Sequence, residues 1–223
     1  MKKKTVAFVP MKLNNERLPG KNTKPFKGGK PLLTYILSTL TKVKGIDEAY
    51  VYCSNEAVKQ YLPDGIRFLK RSESLDTSST LIIDVLKAFA EDVQADTYVL
   101  THATAPFIRP ETIEAAVSKV NNEGYDSAFT ARAVNEFLWI DGKAIYDTEQ
   151  IPRTQDIKNI FAETTGLYVY TDKLIKASRR IGDKPCAIPV DFVEATDINN
   201  PIDFELAQVI FDNYIRTESE KNG

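Results

Sequence analysis

Residues 5–26, TVAFVPMKLNNERLPGKNTKPF, decide the fold. The first five are almost all apolar, which is typical of a strand buried on both faces of a parallel sheet. We expect this strand to end at Pro10. The polar loop after it carries four cations, Lys12, Arg17, Lys21 and Lys24. Because ligands bind at the carboxyl ends of the strands in open α/β sheets, the sequence predicts a positively charged site at this edge.

Strand-like and helix-like segments alternate beyond the loop. The predicted strands cover residues 5–9, 49–53, 67–70, 97–101, 127–130, 166–170 and 187–190. The predicted helices cover residues 32–40, 57–62, 81–89, 110–123, 172–178 and 201–211. Strands separated by helices of about 10 to 15 residues indicate right-handed β-α-β units. The sequence therefore predicts one α/β domain over residues 1–223, a three-layer sandwich with a mostly parallel sheet.

The alternation breaks over residues 134–165. Two apolar runs flank Asp141-Gly142, a pair that favours a type I′ turn, and so predict a hairpin. We interpret this segment as an excursion from the sheet and a possible dimerisation element. For Trp139, packing in the core or at a dimer interface is a better interpretation than a platform for an aromatic ligand.

Composition excludes several classes of protein. The 223 residues carry a net charge of -2, which argues against a general nucleic-acid-binding surface. The two cysteines, Cys53 and Cys186, lie in no zinc or disulfide pattern. The apolar run near Met1 is too short for a signal peptide, and no stretch approaches the roughly 18 apolar residues of a membrane span. We expect a soluble cytoplasmic protein that binds neither nucleic acid nor membrane.

The cationic loop suits the charge of a nucleoside triphosphate, which lysine, arginine, backbone amides and Mg²⁺ offset in proteins. It is not a Walker A loop, because Asn22 follows Gly20-Lys21 where Ser or Thr is needed, and Asn15 replaces the first glycine. The residues alone leave open a solvated turn with ordinary lysines.

Residues 10–22, PMKLNNERLPGKN, resemble the nucleotide loop of the acylneuraminate (CMP-sialic acid synthetase) cytidylyltransferases, which usually has the sequence PARGGSKRLPGKN. The match holds from Arg17 to Asn22, and Lys12 replaces an arginine. Residues 13–16 depart from the family's Gly-Gly-Ser-Lys core. Further segments match in the same order: Arg71 with Asp76 and Ser79, 100–106, 152–155, Thr165-Gly166 and 194–199 followed by Asp203-Phe204.

The resemblance implies a Rossmann-like, glycosyltransferase-A-like nucleotidyltransferase that uses CTP, Mg²⁺ and an acidic sugar. The hairpin excursion favours a homodimer. The implied catalytic residues are Lys12, Arg17, Lys21 and Asp197. The implied nucleotide-binding residues are Lys12, Asn15, Lys21, Asn22, Arg71 and Ser79. The implied acceptor-binding residues are His102, Thr104, Arg153, Gln155 and Thr165. The implied metal ligands are Asp197 and Asn199, the latter in place of the family's second aspartate.

Alternatives remain for several of these residues. Arg153 suits a sugar carboxylate, since a guanidinium binds it through two parallel hydrogen bonds, but a salt bridge at the rim fits equally. Asp197 also suits the start of the helix at Pro201, where the dipole favours an acid. His102 is a pocket residue rather than a general base. The whole chain could instead be a nucleotidyltransferase for a sugar phosphate, or a nucleotide-binding protein without catalysis, which the altered loop core and Asn199 would explain.

Overall fold

The computed structural model describes residues 3–14, 17–26, 29–157 and 160–215. Its main sheet has seven strands in the order β3-β2-β1-β4-β8-β5-β9. The strands of the chain are β1 Thr5–Met11, β2 Glu48–Cys53, β3 Ile66–Lys70, β4 Thr97–Thr101, β5 Ser127–Ala133, β6 Trp139–Ile140, β7 Lys143–Ala144, β8 Phe161–Thr171 and β9 Pro185–Pro189. β8 is antiparallel to β4 and β5, and the other pairs of this sheet are parallel.

Helices cover both faces of the sheet. They are α1 Leu33–Leu40, α2 Ile82–Asp92, α3 Pro110–Asn122, α4 Asp172–Lys176 and α5 Pro201–Ile210. Residues of β1 alternate between two cores: Val9 packs with α1 and α3, whereas Phe8 packs with α2 and α4. The Phe8 ring stacks on Phe89 with 4.1 Å between centroids. The predicted three-layer α/β sandwich is therefore confirmed.

A third apolar cluster fixes the cationic loop. Leu18 and Phe26 from the loop are buried against Ile198 and Phe204, the latter on α5. Phe26 meets Phe204 edge to face at 5.3 Å. Because its apolar residues are buried in this way, the loop is not the solvated turn that remained open from sequence, and its cations occupy defined positions.

Several elements differ from their predicted form. β1 continues through Pro10 instead of ending there. Proline has no N–H to donate, but the strand tolerates it because the pairing of β1 with β4 already ends at Phe8. The predicted helix at 57–62 is a 3₁₀ helix, Glu56–Tyr61, and α5 continues as a π-helical turn, Phe211–Ile215. β8 is longer than predicted and antiparallel, since it follows the excursion rather than a crossover helix.

The predicted hairpin is confirmed. β6 and β7 pair antiparallel, and Asp141 and Gly142 adopt φ values of 48° and 75°, as a type I′ turn requires. Trp139 is 60% exposed, so it does not pack in the core of this chain. Within the described ranges, no helix is long and apolar enough to cross a membrane.

Candidate active site

The carboxyl ends of the parallel strands gather most of the predicted site residues at one edge of the sheet. Lys12, Arg71 and His102 are the first residues after β1, β3 and β4. The loop after β1 adds Arg17, Lys21 and Asn22. A larger hollow of about 750 Å³, between α1 and the start of α3, contains none of the predicted site residues.

Lys21 is a buried cation at this edge. Gly20 turns the chain at φ 66° and starts the 3₁₀ helix Lys21–Thr23, which leaves Lys21 only 7% exposed. Its Nζ donates to the carbonyl of Ile198 at 2.7 Å. Desolvation lowers the pKa of Lys21, although Asp197 opposes the shift. Among the described residues no carboxylate forms an ion pair with this ammonium group, and a buried charge of this kind is favourable only when an anion is nearby.

Asp197 lies in a chain of polar contacts. Its Oδ2 accepts hydrogen bonds from Asn199 Nδ2 at 2.6 Å and from Thr165 Oγ1 at 3.2 Å. Asn199 Oδ1 in turn accepts from Arg17 Nη2 at 2.9 Å. The backbone of this segment is fixed because Ile198 N donates to the carbonyl of Thr104. Thr165 itself adopts a left-handed φ of 56°.

Asp197 is the carboxylate that the sequence predicts as a ligand of a divalent cation. In the parts of the chain that the structure describes, no group of three or more His, Cys, Asp or Glu side chains could hold a metal. Mg²⁺ often binds through one or two carboxylates with the remaining positions filled by phosphate and water, so Asp197 fits a cation shared with a triphosphate. Asn199, expected as a second ligand, turns its nitrogen to Asp197 and its oxygen to Arg17. The role of Asn199 as a second metal ligand therefore stays a prediction.

A second group of predicted site residues is built around Arg71. The Arg71 guanidinium is buried and donates twice to Asp76 Oδ1, from Nε at 3.1 Å and from Nη2 at 2.5 Å. Lys12 Nζ donates to the carbonyl of Asp76 at 3.1 Å. Asn22 Nδ2 donates to the carbonyl of Lys12, whereas Asn22 Oδ1 is buried and accepts nothing from the described residues. An unpaired buried oxygen of this kind is available to a ligand donor.

The two remaining residues of the predicted nucleotide set are Ser79 and Asn15. Ser79 is exposed, and its hydroxyl lies 3.1 Å from that of Thr77. Asn15 lies outside the described residues.

His102, expected on the acceptor side, lines one hollow together with Lys12 and Arg71, so the predicted acceptor and nucleotide residues adjoin here. This hollow has a volume of about 220 Å³ and also includes Pro10 and Met11 at the end of β1. Desolvation lowers the pKa of His102, although Asp197 opposes the shift, so the imidazole is neutral at neutral pH. A neutral imidazole can both donate and accept a hydrogen bond.

Arg153 and Gln155 lie apart from this group, at the 3₁₀ turn Thr154–Asp156. Arg153 is 72% exposed in its side chain and pairs with Asp156, with Nε 2.7 Å from Oδ2. In the described part of the chain no hydrogen bond or ion pair joins either residue to Asp197 or His102. The arrangement matches the rim salt bridge that the sequence left open.

The sequence assigned no role to Ser54, nor to Glu194, although Glu194 begins the matched segment 194–199. Ser54 donates to Asp76 Oδ2 at 2.5 Å, and its position directly after β2 was a usable signal. Glu194 is buried and accepts from Arg109 N and Thr112 Oγ1, which ties the segment before Asp197 to the start of α3. That contact spans 82 residues for Thr112, so no local pattern could have revealed it.

Comparison with known proteins adds independent information. Residues 6–184 match the family model described as cytidylyltransferase. The chain is 24% identical over 213 residues to N-acylneuraminate cytidylyltransferase A of Danio rerio, a match covering 91% of this chain and 49% of that protein. It therefore spans about half the length of this relative.

A second relative matches along nearly its full length. This is the CMP-N,N'-diacetyllegionaminic acid synthase of Legionella pneumophila, 26% identical over 224 residues, which cover 93% of this chain and 96% of that protein. Among solved structures, CMP:2-keto-3-deoxy-manno-octonic acid synthetase complexed with CTP superposes with a TM-score of 0.68 at 18% identity, covering 94% of this chain and 98% of that one. This likeness confirms the Rossmann-like α/β fold.

Proposed function

Because the chain belongs to the cytidylyltransferase family, we propose that it transfers CMP from CTP to a hydroxyl group of an acidic sugar and releases pyrophosphate. The observation that carries this proposal is the buried Lys21. Its ammonium group is desolvated, bonded to a neutral carbonyl and close enough to Asp197 to feel its charge. A triphosphate supplies the negative charge that such a group lacks.

The reaction is an in-line attack of the acceptor hydroxyl on the α-phosphorus of CTP. Negative charge develops on the phosphoryl oxygens and on the leaving pyrophosphate. Lys12, Arg17 and Lys21 stabilise that charge, and their fixed positions mean that little reorganisation is needed during the reaction. Asn22 and Arg71 hold the nucleotide. Ser79 and Asn15 complete the proposed nucleotide set.

We propose that Asp197 holds the divalent cation, preferably Mg²⁺. When bound, the cation supplies positive charge to the phosphate oxygens, as oxygen-liganded Mg²⁺ does in other nucleotidyl-transfer sites. The chain itself positions the carboxylate: Thr165 and Asn199 donate to its Oδ2 and so fix its orientation. Arg17 reaches this cluster through Asn199, which links the loop cations to the proposed cation site.

We propose that the acceptor is a sugar acid and that it binds near His102, Thr104 and Thr165. Both relatives described above are named for such acids, N-acylneuraminate and N,N'-diacetyllegionaminic acid. Arg153 is proposed to bind the carboxylate of the sugar acid, since a guanidinium matches a carboxylate through two parallel hydrogen bonds. Gln155 is proposed to bind the acceptor beside it. Arg153 must then exchange Asp156 for the substrate carboxylate.

We propose that the excursion forms a homodimer interface. It exposes a set of large apolar side chains, Phe137, Trp139, Ile140, Ile145, Ile151 and Phe161. Large apolar side chains exposed together on one segment favour an interaction site. Light scattering coupled to size-exclusion chromatography tests this: we expect twice the chain mass for the wild type and the single-chain mass for Trp139→Ser. We also propose a cytoplasmic location, where the free thiols of Cys53 and Cys186 stay reduced.

The test is pyrophosphate release measured with CTP, UTP, ATP and GTP, each with Mg²⁺ and a panel of acceptors. The panel contains N-acetylneuraminate, N,N'-diacetyllegionaminate and 3-deoxy-manno-octulosonate, with sugar 1-phosphates as the contrasting class. We expect release with CTP and a sugar acid. Release only with sugar phosphates would replace the proposed acceptor, and CTP binding without release from any acceptor would indicate a protein that no longer catalyses.

A further inference from the structure

Asp76 joins the ends of three neighbouring strands. The first residues after β1, β2 and β3 are Lys12, Ser54 and Arg71, and the side chains of all three bond to Asp76. Each acceptor of Asp76 has its own partner: Oδ1 receives Arg71, Oδ2 receives Ser54, and the backbone carbonyl receives Lys12. Asp76 ends the short 3₁₀ helix Glu73–Asp76, so this helix is attached to the sheet edge by all three contacts.

The Arg71 contact is the costly one to lose. The side chain of Arg71 is 5% exposed and that of Asp76 is 27% exposed, so the guanidinium depends on this carboxylate for its charge compensation. Nε and Nη2 both bond to the same oxygen, which fixes the plane of the guanidinium. No acceptor among the described residues bonds to Nη1, which leaves a donor edge of a fixed group for a ligand in the adjoining hollow.

We propose that Asp76 is the positioning residue of the nucleotide site: it holds Arg71 and Lys12 in the geometry that CTP requires. The inference rests on the proposed function, since it concerns the binding of the same nucleotide. Asp76 does not itself bind the triphosphate, because its carboxylate is an anion whose two oxygens are already occupied. It acts through its two cationic partners, which carry one more positive charge than it removes.

A competing arrangement makes the opposite prediction. In this arrangement the Asp76 carboxylate competes with the phosphates of CTP for the Arg71 guanidinium. Removing its charge would then free the guanidinium and strengthen CTP binding. If Asp76 positions Arg71, the same change leaves a buried guanidinium free to rotate and weakens CTP binding. The sign of the change in Kd therefore distinguishes the two.

The experiment is calorimetric titration of CTP into the wild type, Asp76→Asn, Arg71→Met and the double variant. We expect Asp76→Asn to raise the Kd for CTP about tenfold or more, and to change it by less than about twofold when Arg71 is already Met, because coupled residues are not additive. A purely structural role of Asp76 would not produce this coupling. An unchanged or lower Kd, or an effect that is equal in both backgrounds, would overturn the proposal.

Glu73→Gln is the matched control, since it removes the same charge from the same helix at an exposed position. Its Kd should stay within about twofold of the wild type. Should Asp76→Asn fail to fold, Ser54→Ala decides: loss of the bond to Oδ2 should weaken CTP binding about threefold, and no change would contradict the proposal.

Binding and turnover are scored separately. A wild type that binds CTP but releases no pyrophosphate with any acceptor would refute the proposed function, while the Kd comparison still decides the role of Asp76. A wild type that binds no CTP would overturn both.

Discussion

Replacing Lys21 by Met should separate catalysis from stability. The methionine keeps the length and apolar stem of lysine but removes the ammonium group. Among the described residues Nζ donates once, to the carbonyl of Ile198, so two of its three donors remain for phosphate oxygens. At about 1.5 kcal/mol for each hydrogen bond to a charged group, the loss is about 3 kcal/mol, or roughly 150-fold in kcat/KM.

Stability should change little, because two effects oppose each other. Desolvation lowers the Lys21 pKa in the folded state, so the unfolded chain holds this proton more firmly. Lys21 therefore costs stability below its folded pKa, and the cost declines as the pH rises towards 10.5. Methionine removes that cost but leaves the Ile198 carbonyl without its donor, a loss of about 1 to 3 kcal/mol. We expect a net change within about 1 kcal/mol, roughly 2 to 4 °C in Tm.

The assay is steady-state pyrophosphate release together with thermal unfolding, with Lys24→Met as the control. Lys24 belongs to the same loop but is exposed, with its Nζ 4.8 Å from the centroid of the Phe204 ring. Its replacement should change kcat/KM by less than about threefold, the scale of one exposed cation–π contact. Retention of kcat/KM by Lys21→Met, or an unfolded Lys21→Met protein, would refute the reasoning.

Three further predictions concern the metal, the histidine and the packing of the site. Asp197→Ala should abolish the response of turnover to Mg²⁺ in titrations of pyrophosphate release, whereas an unchanged Mg²⁺ response would contradict the role of Asp197. The pKa of His102 lies below its usual 6.5 in the folded state, so the stability of the wild type should fall relative to that of His102→Gln as the pH drops below 6.5, by at most about 1.4 kcal/mol per pH unit. The measurement is urea unfolding of both proteins at pH 5 and 7.5. The same stability difference between them at both pH values would argue against this. Gly166→Ala would place a Cβ 3.0 Å from that of Ala105 and 3.1 Å from Cδ1 of Ile108, which should cost about 1 to 3 kcal/mol in chemical denaturation, and an unaltered midpoint would show that the neighbours adjust.

The sequence predicted the fold, and it placed the candidate site residues at one edge of the sheet, because both depend on local patterns. The apolar run of β1 and the helical stripes after it determine a mostly parallel sheet, and chain order then brings the loop cations to the carboxyl ends of the strands. The resemblance of residues 10–22 to the cytidylyltransferase loop, which is identical from Arg17 to Asn22, is confirmed by the family match. The orientation of β8 was missed, because periodicity indicates a strand but not its direction.

The partners of the site residues were beyond the reach of the sequence. Asp76 becomes the common partner of Lys12, Ser54 and Arg71 only once β1, β2 and β3 lie side by side. The position of Asn199 between Arg17 and Asp197 likewise joins segments that are 182 residues apart. Such contacts form only when distant segments pack together, so the sequence can name the candidate residues but not their hydrogen-bond partners.

A crystal structure of this protein with CTP and Mg²⁺ would test most directly whether the loop after β1 binds the phosphates of CTP. We expect phosphate oxygens within about 3 Å of Lys21 Nζ, with the cation between them and Asp197. A nucleotide bound elsewhere, or one whose phosphates leave Lys21 without a contact, would contradict this expectation.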